Sequence, residues 1–224
     1  MVRQADDQER GQGQTGGEMQ IDHVVYAVQD LEAAATRMKQ DFGLGSVPGG
    51  HHPGWGTGNR IVPLGPSYIE LLAPVDHAVA QQSELGRALL EAVAEGDRFL
   101  GWCVSTEDLD AVATRLDLPA GDGTRQRPDG VVLRWRSAGL ERALAEPSLP
   151  FFITWDIPDE LHPGRAEADH VGTPQGIAWL EIGGDALRLN EWLEGSELPV
   201  RVVGGPPGVL AVAIAADSGE IVVR

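Results

Sequence analysis

From Gln20 onward, apolar and polar positions follow one order three times: a β-rich run, an amphipathic helix, then further strands. In the first copy, Ile21 to Val28 is rich in β-branched residues. Asp30 is placed to cap a helix whose apolar positions Leu31, Ala34, Ala35 and Met38 recur at helical spacing, and Gly43 is placed to end it. Strands are predicted at Arg60–Leu64 and Tyr68–Ala73, separated by the turn Gly65-Pro66. The second copy opens at Leu100 to Ser105, runs through a helix ending near Leu116, and continues with strands at Val131–Arg136 and Phe151–Trp155. Val28-Gln29-Asp30-Leu31 aligns with Thr106-Glu107-Asp108-Leu109, and Ala35-Thr36-Arg37-Met38 with Ala113-Thr114-Arg115-Leu116, at one common offset. A helix over Ser83–Ala94 links the copies. The third copy runs from Ile177–Ile182 through a helix starting near Asp185 to strands at Val200–Val203, Val209–Ala215 and Glu220–Val223.

These elements predict an α+β fold of repeated βαβββ modules, with curved mixed sheets and helices outside, and two adjacent modules enclosing a cleft. The expected organisation is an extension over residues 1–18, paired modules over 19–160 and a Pro-, Gly- and His-rich loop or lid over 161–176. A third module over 177–224 then packs on the first two or forms a dimer interface.

Charge narrows the partners. The 224 residues carry a formal charge of −17, and Lys39 is the only lysine. Such a field repels phosphate backbones and anionic lipid, and the arginines form no basic run, so neither nucleic acid nor membrane is an expected partner. The polar first 17 residues contain no signal-like apolar stretch, and Gly208 to Ala216 is too short to span a bilayer, so a cytoplasmic protein is expected. The single cysteine, Cys103, sits in an apolar strand and reads as a core residue.

The period of two on the first strand places Ile21, His23, Val25 and Ala27 on one face and Asp22, Val24, Tyr26 and Val28 on the other. His23 is thus an imidazole in an apolar row, and Glu70 a carboxylate flanked by apolar strand residues. Sharing a metal would compensate their burial. A hydrogen-bonded histidine and a glutamate on an exposed edge would serve as well. The segment Gly49 to Asn59, rich in Gly and His, reads as a functional loop over the cleft, with His52, Thr57 and Asn59 able to contact a substrate; an ordinary long hairpin connection is the alternative. It lacks both the following helix of a dinucleotide fingerprint and the Lys-Ser/Thr ending of a phosphate loop. Trp55, Trp102, Trp135 and Trp155 could line an apolar cleft.

The run Ile21 to Val28 with Asp30-Leu31, then Pro48-Gly49-Gly50, His52-Pro53, Gly56-Thr57, Asn59, Val62-Pro63-Leu64 and Tyr68-Ile69-Glu70-Leu71, resembles the glyoxalase-like domain of the vicinal oxygen chelate superfamily. Pro150-Phe151-Phe152-Ile153 with Trp155, and His170 before Gly176-Ile177, fit it too. The resemblance is specific over residues 20–75 and weaker to about 183. It implies modules wrapped around a site that often holds a divalent metal such as Zn, Mn, Ni or Fe(II), with His23 and Glu70 as ligands. The sequence departs from that pattern in the second module, where Gly101 aligns with His23 and Phe151–Trp155 offers no carboxylate. His52 or His170, and after them His51 or His162, would have to complete a coordination shell. The resemblance then implies a metal-assisted lyase or isomerase acting on a small oxygen-rich metabolite. In it Glu70 serves as ligand and base, and His52, Thr57, Asn59, Trp155 and His170 contact the substrate. The alternatives are a metal-free small-molecule binding or resistance protein and an extradiol-type dioxygenase, the latter needing a second histidine on the metal.

Overall fold

The computed structural model describes residues 19–224, so the expected N-terminal extension lies outside the described residues. The first repeat forms β1 (Gln20–Ala27), α1 (Leu31–Phe42), β2 (Val47–His52), β3 (Thr57–Pro63) and β4 (Tyr68–Pro74). The Asp30 carboxylate caps α1 by accepting from the Ala33 N–H at 2.7 Å, and Gly43 ends it at φ 71°. After α2 (His77–Ala80) and α3 (Glu84–Ala94), the second repeat forms β5 (Arg98–Ser105), α4 (Leu109–Leu116), β6 (Ala120–Gln126), β7 (Val132–Ala138), α5 (Leu140–Ala145) and β8 (Phe151–Trp155).

Together these strands make an eight-stranded sheet in the order β2-β3-β4-β1-β5-β8-β7-β6. Each half pairs its first and last strands in parallel, β1 with β4 and β5 with β8, and antiparallel β1 and β5 join the halves. The sheet curves until its edges approach each other at β2 and β6. A side chain at Gly49 would overlap Asn59 and Arg125, and one at Gly50 would press on the Gln126 carbonyl, so the Gly49-Gly50 pair permits this near-closure.

Two strands differ from their sequence reading. The Gly49–Asn59 segment is a hairpin, β2 paired to β3 through His52↔Thr57, and not a free loop. The polar stretch Gly121-Asp122-Gly123-Thr124-Arg125 is strand β6, paired along its length to β7. Neither segment carries apolar alternation; Gly49, Gly50 and Gly123 stand where a side chain would overlap a close neighbour.

Two 3₁₀ turns, Asp159–Leu161 and Pro163–Arg165, lead to β9 (Pro174–Gly183), α6 (Ala186–Trp192), β10 (Val200–Val203), β11 (Gly208–Ala216) and β12 (Gly219–Val223). This segment repeats the element order of the modules but not their pairing. Its sheet runs β10-β9-β11-β12, with β9 parallel to the next strand, β10, and so adopts a different topology. Its apolar face does not wait for a second chain. Leu180, Ile182, Val212 and Ile214 pack with Val24, Trp102, Val104 and Phe152 of the large sheet and with α1, α4 and α6 in one buried cluster. On the opposite, concave side, α3 brings Leu85, Leu89 and Val93 against Val25, Ala27 and Leu72. No helix among the described residues is long and apolar enough to cross a membrane.

Candidate functional site

The concave side encloses a cavity of about 90 Å³ whose polar wall comes from His23, His52, Asn59, Tyr68, Glu70 and Arg125. Leu72, Leu100, Trp135, Leu140, Phe151 and Trp155 supply much of its apolar wall. On β1 and β4 the register sets His23 opposite Tyr68 and Val25 opposite Glu70, so His23 and Glu70 reach the same cavity from adjacent strands. His52, Asn59 and Trp155, also expected at the site, line it. Thr57 is buried just behind, bonded at 3.0 Å to Nδ1 of His52. His170 lies outside the cavity, where its Nδ1 accepts from the Gly45 N–H at 3.1 Å. His51 is exposed.

The face assignment of β1 changes at one place. A β-bulge between Ile21 and His23, with Asp22 as the extra residue, turns Ile21 into the core with Val24 and Val28. The same bulge brings the Asp22 carboxylate beside its neighbour's ring, where Nδ1 of His23 donates to Oδ1 at 2.6 Å. Asp22 is 3% exposed, and its other oxygen accepts from Nε1 of Trp155 at 2.9 Å and Nε2 of His162 at 3.2 Å. Nδ1 of His162 accepts from the Gly164 N–H, which fixes the proton on Nε2. Burial raises the Asp22 pKa, but the hydrogen bonds from His162 and His23 outweigh it and hold the carboxylate well below its ordinary range. An ionised Asp22 keeps the His23 proton on Nδ1 and leaves the Nε2 lone pair free. Among the described residues no fully buried side-chain nitrogen or oxygen lacks a partner, so His23 Nε2 and the Tyr68 hydroxyl, which have none, open on the cavity. His23 stacks on Tyr68 at 4.5 Å between centroids, which fixes the ring plane.

Across the cavity, Asn59 bridges two charges. Its Oδ1 accepts from Nη1 of Arg125 at 3.0 Å and its Nδ2 donates to Oε1 of Glu70. Arg125 is 5% exposed and spends one of its five N–H groups on this bond, leaving donors toward the cavity and the groove behind it. Burial lowers its pKa while Tyr68 and Glu70 raise it, and it stays a cation. Burial, then the Asp22 and Glu70 charges, push the Tyr68 phenol well above its ordinary value, so it stays a donor. Burial lowers His52, partly opposed by Glu70, so its imidazole is neutral near pH 7.

Asp22, Tyr68, Arg125 and His162 were not singled out as site residues from sequence, although His162 stood among the weaker metal candidates. Strand alternation puts Asp22 on the wrong face, and the bulge that corrects it leaves no local signature. Arg125 sits in a stretch that reads as polar coil.

A chelate site built on His23 and Glu70 would need further donors. The one group of three His, Cys, Asp or Glu residues among those described whose donor atoms lie within 4.8 Å of each other is Asp22, His23 and Cys103, without Glu70. Both Asp22 oxygens are occupied, and burial with the Asp22 and Glu70 charges pushes the Cys103 thiol well above its ordinary pKa. The second module contributes Gly101, Phe151 and Ile153 to the cavity but no ligand, and a guanidinium stands where it would repel a divalent ion. This donor set does not fit a bound divalent metal.

A nearly closed eight-stranded sheet of two βαβββ halves around such a cavity is the architecture of the vicinal oxygen chelate proteins, whose members often bind divalent metals. The family model described as "Glyoxalase-like domain" matches residues 21–196, and the chain belongs to that family. No curated protein matches it. Among solved structures it is similar to a hypothetical protein from Staphylococcus aureus, at 16% identity over 91% of this chain and 84% of that one, with a TM-score of 0.60. It is also similar to methylmalonyl-CoA epimerase from Mycobacterium tuberculosis, at 20% identity over 61% of this chain and 86% of that one, TM-score 0.43. A third match is a Streptomyces coelicolor methylmalonyl-CoA epimerase variant, at 18% identity over 61% and 95%, TM-score 0.43.

Proposed function

We propose that this cavity is the active site of a metal-independent isomerase or lyase that removes a proton next to a carbonyl group of a small oxygen-rich molecule. The observation that carries the reading is the hydrogen bond from His23 Nδ1 to a buried, ionised Asp22, which turns an unpartnered Nε2 lone pair into the cavity. With a substrate C–H at Nε2, the C–H electron pair moves into the carbonyl and the oxygen becomes an enolate. The proton stays on the imidazolium, which Asp22 stabilises. Arg125 and the Tyr68 hydroxyl face the same space and supply positive charge and a donor to the enolate oxygen, a role a Lewis acid would otherwise fill. Return of the proton from the His23 imidazolium to carbon gives isomerisation. Expulsion of a β-substituent gives elimination.

The test is deuterium wash-in at the α-carbon of a panel of hydroxy-ketones and 2-oxo acids, followed by proton NMR in D₂O with protein purified without chelator. Exchange reduced at least ~100-fold in His23→Gln, with ligand binding kept, is the expected result. Exchange that survives in His23→Gln would refute the assignment, and binding without exchange of any panel member would make the cavity a binding site only. Near-stoichiometric divalent metal lost in a His23→Ala/Glu70→Ala double variant would overturn the metal-independent reading.

A further inference from the structure

Trp55, Leu85, Trp135, Ser137, Leu140 and Leu144 line both the cavity and an outer groove of about 640 Å³ between the α4–β6 connection and α5. This shared lining sets the two side by side, and the combined space has three chemistries. Its deep end holds the Arg125 guanidinium, 5% exposed with donors to spare. Its middle is aromatic and aliphatic. Its mouth carries Glu84, Asp117, Asp122 and Glu141; of the cations nearby, Arg142 is paired with Glu146 at 3.0 Å and Arg136 lies 3.7 Å from Asp122.

We infer that the ligand is an elongated molecule with an oxygen-rich head whose carboxylate Arg125 binds beside the reacting carbonyl, an apolar body held between Trp55 and Trp135, and a tail that is cationic or uncharged. This deepens the reading of the cavity as the site of chemistry and rests on it. A head anion is favoured because the Arg125 guanidinium keeps donors free beside its bond to Asn59, and a carboxylate can accept twice. A phosphorylated tail, such as that of a nucleotide or a coenzyme thioester, is disfavoured because it would lie among four carboxylates on a chain of net charge −17. Charge at the mouth also steers the approach: a cationic tail is drawn in by the field that repels the bare anion.

Four probes separate the parts: 4-phenylbutyrate, its primary amide, its ring-aminomethyl analogue and its ring-phosphate analogue, measured by calorimetry and tryptophan fluorescence. The acid is expected to bind the wild-type protein about tenfold or more tighter than the amide. The aminomethyl analogue is expected to bind tighter than the parent at low salt, and to lose that gain at high salt or in Glu84→Gln/Asp122→Asn/Glu141→Gln. The phosphate analogue is expected to bind at least about tenfold more weakly than the parent. Arg125→Gln should abolish acid–amide discrimination and Arg125→Lys should keep part of it; the wild-type acid–amide comparison stands even if a variant fails to fold. Equal binding of acid and amide, tight binding of the phosphate analogue, or binding of none of the four would overturn the inference. His23→Gln separates the two readings: it should bind the acid normally while losing deuterium exchange. Loss of exchange with no preference for the acid would sink the ligand assignment alone.

Discussion

Asp22→Asn tests the hydrogen-bonded core of the site most directly, because its outcome is set by donor and acceptor counting. The wild-type carboxylate accepts from Trp155 and His162 on one oxygen and from His23 on the other. An asparagine keeps the first two bonds by placing its carbonyl oxygen there, which puts its NH₂ group opposite Nδ1 of His23. Two donors cannot face each other, so His23 must move its proton to Nε2 and accept through Nδ1. All three bonds survive in geometry but none has an ionised acceptor. Since bonds to a charged acceptor contribute about 1.5–3 kcal/mol against about 1 for neutral pairs, the change destabilises the fold by roughly 2–4 kcal/mol. At roughly 2–4 °C per kcal/mol for a chain of this size, Tm falls by about 4–16 °C. The same tautomer switch presents an N–H to the cavity where a lone pair is needed, so proton abstraction falls about 10³–10⁴-fold. Acid sensitivity follows with a definite sign. Asp22 has a depressed folded pKa, so its contribution is complete above the unfolded value near 3.8 and is lost as pH falls below it; the variant lacks that loss. Urea titration from pH 3 to 7 and imidazole ¹⁵N shifts measure both effects. A variant that keeps the His23 proton on Nδ1, or loses less than about 0.5 kcal/mol, would refute the reasoning.

Gly49→Ala places a methyl group where Asn59 and the Arg125 guanidinium meet, so the β2–β6 seam must open. A loss of about 1–3 kcal/mol and weaker carboxylate binding are expected from denaturation and calorimetry. Phe152→Ala removes a fully buried ring that stacks on Trp192 between the two sheets, and a loss of about 3–5 kcal/mol in urea is expected with the cavity chemistry retained. His52 has a folded pKa lowered by burial, so the unfolded chain takes up its proton first and stability falls as pH drops below about 6.5. His52→Gln should flatten that limb of the stability–pH curve.

Much of the large sheet is legible in sequence because both halves carry the same signals: a β-branched strand, a capped helix and late strands with apolar residues. The strand positions of His23 and Glu70 follow from those signals and from the family resemblance. What sequence periodicity misses is local and long-range at once. One extra residue at Asp22 reverses which neighbours share a face, and no side-chain pattern reports a bulge whose partner strand lies 80 residues away. β2 is hidden because Gly49 and Gly50 answer to a packing partner across the seam, and β6 because Gly123 yields its space to the Trp135 ring on the neighbouring strand. The third segment misleads differently. Its element order copies a module, but order does not specify pairing, and β9 lies between β10 and β11 where a module would place its first strand beside its last.

The two halves of the sheet have diverged in chemistry while keeping one topology. The first supplies nearly all the polar groups of the cavity, His23, His52, Asn59, Tyr68 and Glu70, whereas the second supplies Trp135, Phe151 and Trp155 as wall. Besides Ser137, the second half contributes one charged group, Arg125. It sits on the far edge strand of the second half and reaches the first only because the sheet curls until β6 meets β2, where Asn59 receives it. Positive charge in the cavity therefore depends on closure of the sheet, and closure depends on two residues with no side chains. The rear of the same sheet is covered by β9–β12 of its own chain, and the strap that leads there carries His162 back to Asp22. Bonding the Asp22 carboxylate that holds the His23 ring and covering the apolar back of the sheet are thus tasks of one continuous segment.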